Sequence, residues 1–382
     1  MAAAPPLVRS PTADVDDAAS PEGGKHDVWA AIEKQLEDEL HEAHATMEHV
    51  ELLAMAEADE LRRRSGRAGG RGLASCGPGQ RHLCLHFLSG MARLGQSSPQ
   101  CFFWAMGMFD GSFAAMAGEG PFEENRRVLA SAAAAWLVAA KCEGHAAQGP
   151  PTALQIATLH ASQLSEATGG PPILADDVRR EELGLLKASL PNLYAPTMLQ
   201  WIDLVRARFD AVSRRRAVGV FKATAPWMHA VAALALRASP PSEQFPPRAM
   251  VAATSGLALV AAGLLRADAL LPAYMTDARW QDALDRVLQE PEERLRDVDP
   301  RSLEPTVARA ALEFATGLTI EEVRNYVPCV VMLAIGARNI QQQEQHTAAK
   351  QEARAPGSRA PLTALLVVEL RVQDGLDSCL NE

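Results

Sequence analysis

Two alanine-rich runs constrain this chain more than any other feature. Ser131 to Ala140 and Met250 to Gly263 are rich in small side chains and carry no charge over helix-length spans. Alanine is the strongest helix former, and small side chains let neighbouring helices approach closely, so each run is expected at the centre of a helical core. A similar phrase follows each. Ala167-Thr168-Gly169 precedes Asp176-Asp177-Val178-Arg179, and Ala315-Thr316-Gly317 precedes Glu321-Glu322-Val323-Arg324. Both phrases put acidic side chains in the first turn of a helix, where its dipole favours them. The layout reads as a duplicated all-α unit.

Proline and glycine punctuate the rest. Breaks at Gly118, Gly120-Pro121, Gly149-Pro150-Pro151, Gly169-Gly170-Pro171-Pro172 and Pro191 leave helical segments near 80–95, 99–117, 123–142, 152–166 and 174–190. Ser98-Pro99 is a strong helix start, with a hydroxyl N-cap and proline at the first helical position. A second set includes 197–210, 217–237, 247–266, 305–316 and 320–340, with a long connection over 266–304. No convincing period-2 strand interrupts either set. With 382 residues, the chain has material for two domains and two cores.

Residues 1–26 lack apolar periodicity and read as a disordered tail. An amphipathic acidic helix is expected over 27–63, with Trp29, Ile32, Leu36, Leu40, Ala43, Met47, Val50 and Ala54 forming one stripe. That stripe needs covering, and the expectation is that the helix packs on the first repeat. An Arg/Gly-rich linker follows over 64–78, and residues 341–382 form a C-terminal tail. The arginines from Arg62 to Arg71 suit either a nuclear-import patch or a flexible counter-charge to the acidic helix.

Composition removes several function classes. Asp and Glu number 47 against 37 Lys and Arg, a formal charge of −10, which disfavours general DNA binding through phosphates. Aromatics are 5%, too few for a stacking platform. The six cysteines contain no CxxC pair, so neither a zinc centre nor a disulfide framework is expected, and a reducing compartment is. No secretory leader is read at the start, and the longest nearly apolar stretch, Met250 to Leu265, is too short to span a bilayer. A soluble intracellular protein without cofactor or metal is the expectation. His41, His44 and Glu48 share a helix face, but their spacing is not a metal motif and reads as a solvated face.

Several short segments, in order, resemble the cyclin family. Gln80-Arg81-His82-Leu83-Cys84-Leu85-His86-Phe87-Leu88 is similar to the M-R-A-I-L-x-x-W helix, and Phe109-Asp110-Gly111-Ser112-Phe113 to the I-D-R-F end of the next. Ala134 to Glu143, AAWLVAAKCE, resembles the A-A-x-L-L-A-S-K-x-E core helix and is the best single match. Glu182-Leu183-Gly184-Leu185-Leu186 resembles the E-x-x-I-L helix. Ala195-Pro196-Thr197 with Trp201-Ile202, and Pro246 to Ala253, resemble elements of a second repeat. Gly111, Gln80, Phe87 and Gly144 depart from the family's usual residues. The resemblance implies two tandem five-helix repeats, an N-terminal cyclin box over 79–193 and a cyclin-like repeat over 194–340. It also implies a non-enzymatic subunit that binds and activates a cyclin-dependent Ser/Thr kinase, in the nucleus or cytoplasm.

Lys141 and Glu182 carry that implication. Alone, Lys141 is an ordinary lysine at a helix end, favoured there by the dipole. Glu182 lies on or beside an apolar stripe with Val178, Leu185 and Leu186, so its carboxylate needs a partner. An internal salt bridge to Arg179 or Lys187 is one answer. The resemblance implies another: the two side chains meet across helices and bond the backbone of a partner kinase. It also implies that Leu83, Cys84 and Phe87 form a docking groove for substrate peptides, although their spacing equally suits core residues. A non-activating cyclin-fold adaptor, a factor IIB-like transcription protein and an unrelated helical scaffold stay open beside the kinase reading.

Overall fold

The computed structural model describes residues 34–41, 45–69, 78–94, 96–112, 121–144, 152–189, 196–213, 218–238, 245–299 and 302–336. The expected tails over 1–26 and 341–382 lie outside these residues, as does part of the expected linker. Among the described residues every regular element is helical. We number them α1 (34–41), α2 (Met47–Gly69), α3 (Pro78–Arg93), α4 (Pro99–Ser112), α5 (Pro121–Cys142), α6 (Ala153–Ala167) and α7 (Ala175–Ser189). Then follow α8 (Met198–Val212), α9 (Val218–Ala238), α10 (Pro247–Ala261), α11 (Ala267–Leu270), α12 (Ala278–Arg294), α13 (Pro305–Thr316), α14 (Ile320–Arg324) and α15 (327–336).

Helix starts follow local chemistry. The Ser98 hydroxyl accepts from the Cys101 N–H at 2.9 Å and opens α4. Thr152, Thr197 and Thr319 each form a reciprocal capping box with Gln155, Gln200 and Glu322, opening α6, α8 and α14. Asp277 caps α12 through the Trp280 N–H. Pro328 ends what the sequence suggests is a single helix over 320–340: the chain turns at Asn325-Tyr326 before α15.

The two alanine-rich helices are central. From Val128 to Ala140 every side chain of α5 is buried, and α3, α4, α6 and α7 pack around it. Its small residues make those close approaches possible. Helix α10 is buried from Ala249 through Leu259 and is surrounded by α8, α9, α12, α13 and α14. The expected two cores merge, because α4 lies against both α8 and α9, and the buried apolar side chains form one continuous cluster from Leu40 to Ala334.

Two expectations need correction. The connection over 266–304 is itself folded: α11, a 3-10 turn at Ala273–Thr276 and α12 lead the chain over α10, and α12 packs on α9 and α10. Leu284, Val287, Leu288 and Pro291 bury one side of α12, at helical spacing. The amphipathic helix also differs. It is not one helix, since residues 45–46 separate α1 from α2, and α2 continues to Gly69, into the expected linker. Its buried line is Val50, Glu57 and Leu61 rather than the apolar stripe alone, and Met47 is exposed. Its described hydrogen bonds to the body reach the second half: Glu57 meets α8 and α10. The reason is polar. Buried donors on Trp201 and Arg208 need acceptors, and this segment supplies them.

Candidate partner-binding site

Lys141 is the last-turn cation of α5, and Glu182 sits in the middle of α7. The packing of α7 on α5 brings them together across 41 residues of sequence, with Nζ donating to Oε1 at 2.5 Å. The bond to Arg179 or Lys187 that helix spacing allows is not the one found. Lys141 is half exposed and Glu182 mostly covered, at 50% and 16% of side-chain surface, so the ion pair stands at the rim of the molecule. Leu183, next in sequence to Glu182, is 55% exposed.

Other bonds fix the two helices against each other. Arg126 donates to Asp177 at 2.7 Å, and the Ser131 hydroxyl donates to Glu181 at 2.8 Å, with Arg127 3.6 Å from the same carboxylate. Burial alone would raise the Asp177 pKa, but the Leu174 N–H and the Arg126 guanidinium outweigh it and hold the carboxyl below its usual range. Just beyond Lys141, Glu143 accepts from the Ser98 hydroxyl at 2.7 Å, tying the end of α5 to the start of α4. Gly144 then takes φ 72°, the left-handed conformation that closes a helix.

The expected docking groove is corrected. Cys84 and Phe87 have no exposed surface: Cys84 lies 3.9 Å from the Met106 sulfur, and the Phe87 ring packs on His160 at 5.2 Å. They are core residues, because α3 turns that face toward α4 and α6. Leu83 is half-buried and remains at the surface edge. His41 is exposed and His44 lies outside the described residues, and no metal-holding group of three occurs among those described.

Three polar arrangements went unread in the sequence. Arg81 of α3 holds Asp110 of α4 at two points and donates to the Leu236 and Arg237 carbonyls at the end of α9, joining the two halves. Fully buried Arg208 donates to the Ala45 carbonyl at 2.6 Å and to the Phe314 carbonyl, and stacks on the Phe314 ring at 4.2 Å. Burial lowers its pKa to about 10. Beneath α2, Glu57 accepts from Trp201 Nε1 at 2.6 Å and from the Arg248 N–H at 3.2 Å, while the Arg248 guanidinium holds the Thr316 and Gly317 carbonyls. The only signal for any of these was a charged residue falling on an apolar helix face.

No helix among the described residues is long and apolar enough to cross a membrane. In comparisons with family models, curated proteins and solved structures, nothing matches this chain.

Proposed function

We propose that this chain is a cyclin-like regulatory subunit that binds a cyclin-dependent Ser/Thr kinase and activates it allosterically. The observation that carries the reading is the Lys141–Glu182 pair at the meeting of α5 and α7, 2.5 Å apart, with Lys141 half exposed and Glu182 mostly covered. An ion pair worth about 1 kcal/mol or less to stability does little for the fold at such a position. As a pair of pre-placed charges it suits capture of backbone groups on a partner, where charge-assisted bonds fix orientation. Lys141 would donate to a partner carbonyl, and Glu182 would accept from a partner N–H.

The packing order supports the same reading. Around α5 stand α3, α4, α6 and α7; around α10 stand α8, α9, α13 and α14, in matching chain order, with α11 and α12 inserted in the second set. Four helices about a fifth, alanine-rich one, twice, is the layout that tandem cyclin-like repeats require. The buried contact between Arg81 and Asp110 joins the two segments that resemble the family's first and second helices.

On this reading the chain does no bond chemistry. It packs on the kinase so that the kinase's own Lys–Glu ion pair and magnesium-binding Asp come into register, and phosphoryl transfer follows there. The burial of Cys84 and Phe87 favours a variant in which substrates are not recruited through α3. Affinity capture with Lys141→Ala and Glu182→Ala variants tests the proposal: each should weaken kinase binding, with effects that do not add. Full binding by both variants contradicts the site.

A further inference from the structure

Helix α2 is joined to the rest of the chain by a buried carboxyl group. Glu57 is 7% exposed, and both of its described partners are neutral donors on other helices: the indole N–H of Trp201 on α8 and the main-chain N–H of Arg248 on α10. The cation that acts on it among the described residues, the Arg248 guanidinium, is committed to the Thr316 and Gly317 carbonyls. Among the described residues a carboxylate so placed has hydrogen bonds but no ion pair, and its burial as a charge is costly.

We propose that Glu57 is a proton-controlled latch that fastens α2 to the second half of the chain, gripping more firmly as pH falls. The neutral acid keeps an acceptor for Trp201 and sheds the cost of a buried charge. The charged and titratable groups that face this site from the packed elements are Arg248 of α10, Glu322 of α14 and Tyr326 just beyond it, with Arg208 of α8 acting through Arg248. Each of the arginines already holds main-chain carbonyls. Neither is free to turn and pair with Glu57.

Burial raises the Glu57 pKa from 4.5 to about 7, against the lowering effect of the Trp201 and Arg248 bonds. With α2 undocked, the carboxyl returns to its ordinary value. Docking therefore takes up a proton between those two values. The grip is firmest below the lower one, weakens as pH rises toward 7, and is level above it. This inference does not depend on the identity of any partner.

Hydrogen exchange on the full chain, corrected for intrinsic rates, tests it. Amides of 47–62 should lose about tenfold in protection between about pH 6 and pH 8, while those of α5 serve as an unchanged reference. In Glu57→Gln the difference should vanish, because the neutral side chain cannot titrate. Trp201→Phe removes a donor to the carboxylate and should move the transition to higher pH. Should Glu57→Gln lose protection throughout α5, and so fail to fold, the Trp201→Phe midpoint decides. A flat wild-type profile, a pH response retained in a folded Glu57→Gln, or an unmoved Trp201→Phe midpoint overturns the latch.

Discussion

Arg81 on α3 and Asp110 on α4 meet at two points, Nε to Oδ1 at 2.9 Å and Nη2 to Oδ2 at 3.1 Å, with 10% and 3% of their side chains exposed. The guanidinium also donates to the Arg237 carbonyl at 2.8 Å, so one side chain ties two helices of the first half to the end of α9 in the second. Breaking a buried pair from one side strands the other charge. Asp110→Ala should therefore cost about 3–5 kcal/mol, and Arg81→Ala as much or more. Replacing both with apolar residues should cost less than the sum, because no charge is left behind. Urea denaturation of the four proteins of the cycle measures this; additive losses contradict the coupling.

The Lys141–Glu182 pair should behave in the opposite way. At the rim, with Lys141 half exposed, Lys141→Ala should change stability by less than about 1 kcal/mol. Thermal melts of this variant should nearly overlay wild type even where partner binding is lost. A drop of several degrees with binding retained would assign the pair to the fold instead.

Gly317 closes α13 at φ 63°, a left-handed conformation that side chains with a Cβ disfavour. A Cβ there would stand 2.5 Å from Arg248 Nη2, and that guanidinium is held by the Thr316 and Gly317 carbonyls. Gly317→Ala should cost about 1–2 kcal/mol, seen as a lowered melting temperature. Gly79, whose surroundings are open, is the control, and Gly79→Ala should be near neutral.

Deleting residues 1–63 should lower the melting temperature, because the fully buried Trp201 and Arg208 lose the cover and acceptors that this segment provides. Tryptophan emission should shift to longer wavelength as Trp201 meets water. An unchanged melt and spectrum would mean that α2 contributes nothing to the body it touches.

What could be read from the sequence, and what could not, divides along physical lines. Apolar periodicity and Pro/Gly breaks place α5, α6, α7, α8, α9 and α13 within about two residues, because burial and capping act locally; α10 stops at Ala261, short of the expected 266. The Ser98 cap was legible for the same reason. Helix α12 does not stand out in the sequence although Trp280, Leu284, Val287, Leu288 and Pro291 follow helical spacing, because charged residues crowd its other face. The partners of Arg81, Arg208 and Glu57 lie 29 to 191 residues away, and no local pattern encodes such distances. Lys141 alone reads as an ordinary helix-end lysine and Glu182 as a carboxylate in need of a partner; that the two meet came into view only through the family resemblance. The apolar stripe of α2 says that it docks, while the buried acceptor it carries, Glu57, bonds to the second half.

The most direct test of the central claim is affinity capture with the full chain from extract of its own cells, followed by kinase assay on a generic Ser-Pro substrate. The account predicts that a cyclin-dependent kinase is recovered in active form, and that the Lys141→Ala/Glu182→Ala double variant recovers far less of it while melting as wild type does. Recovery of no kinase, under conditions where a control cyclin captures one, would contradict it.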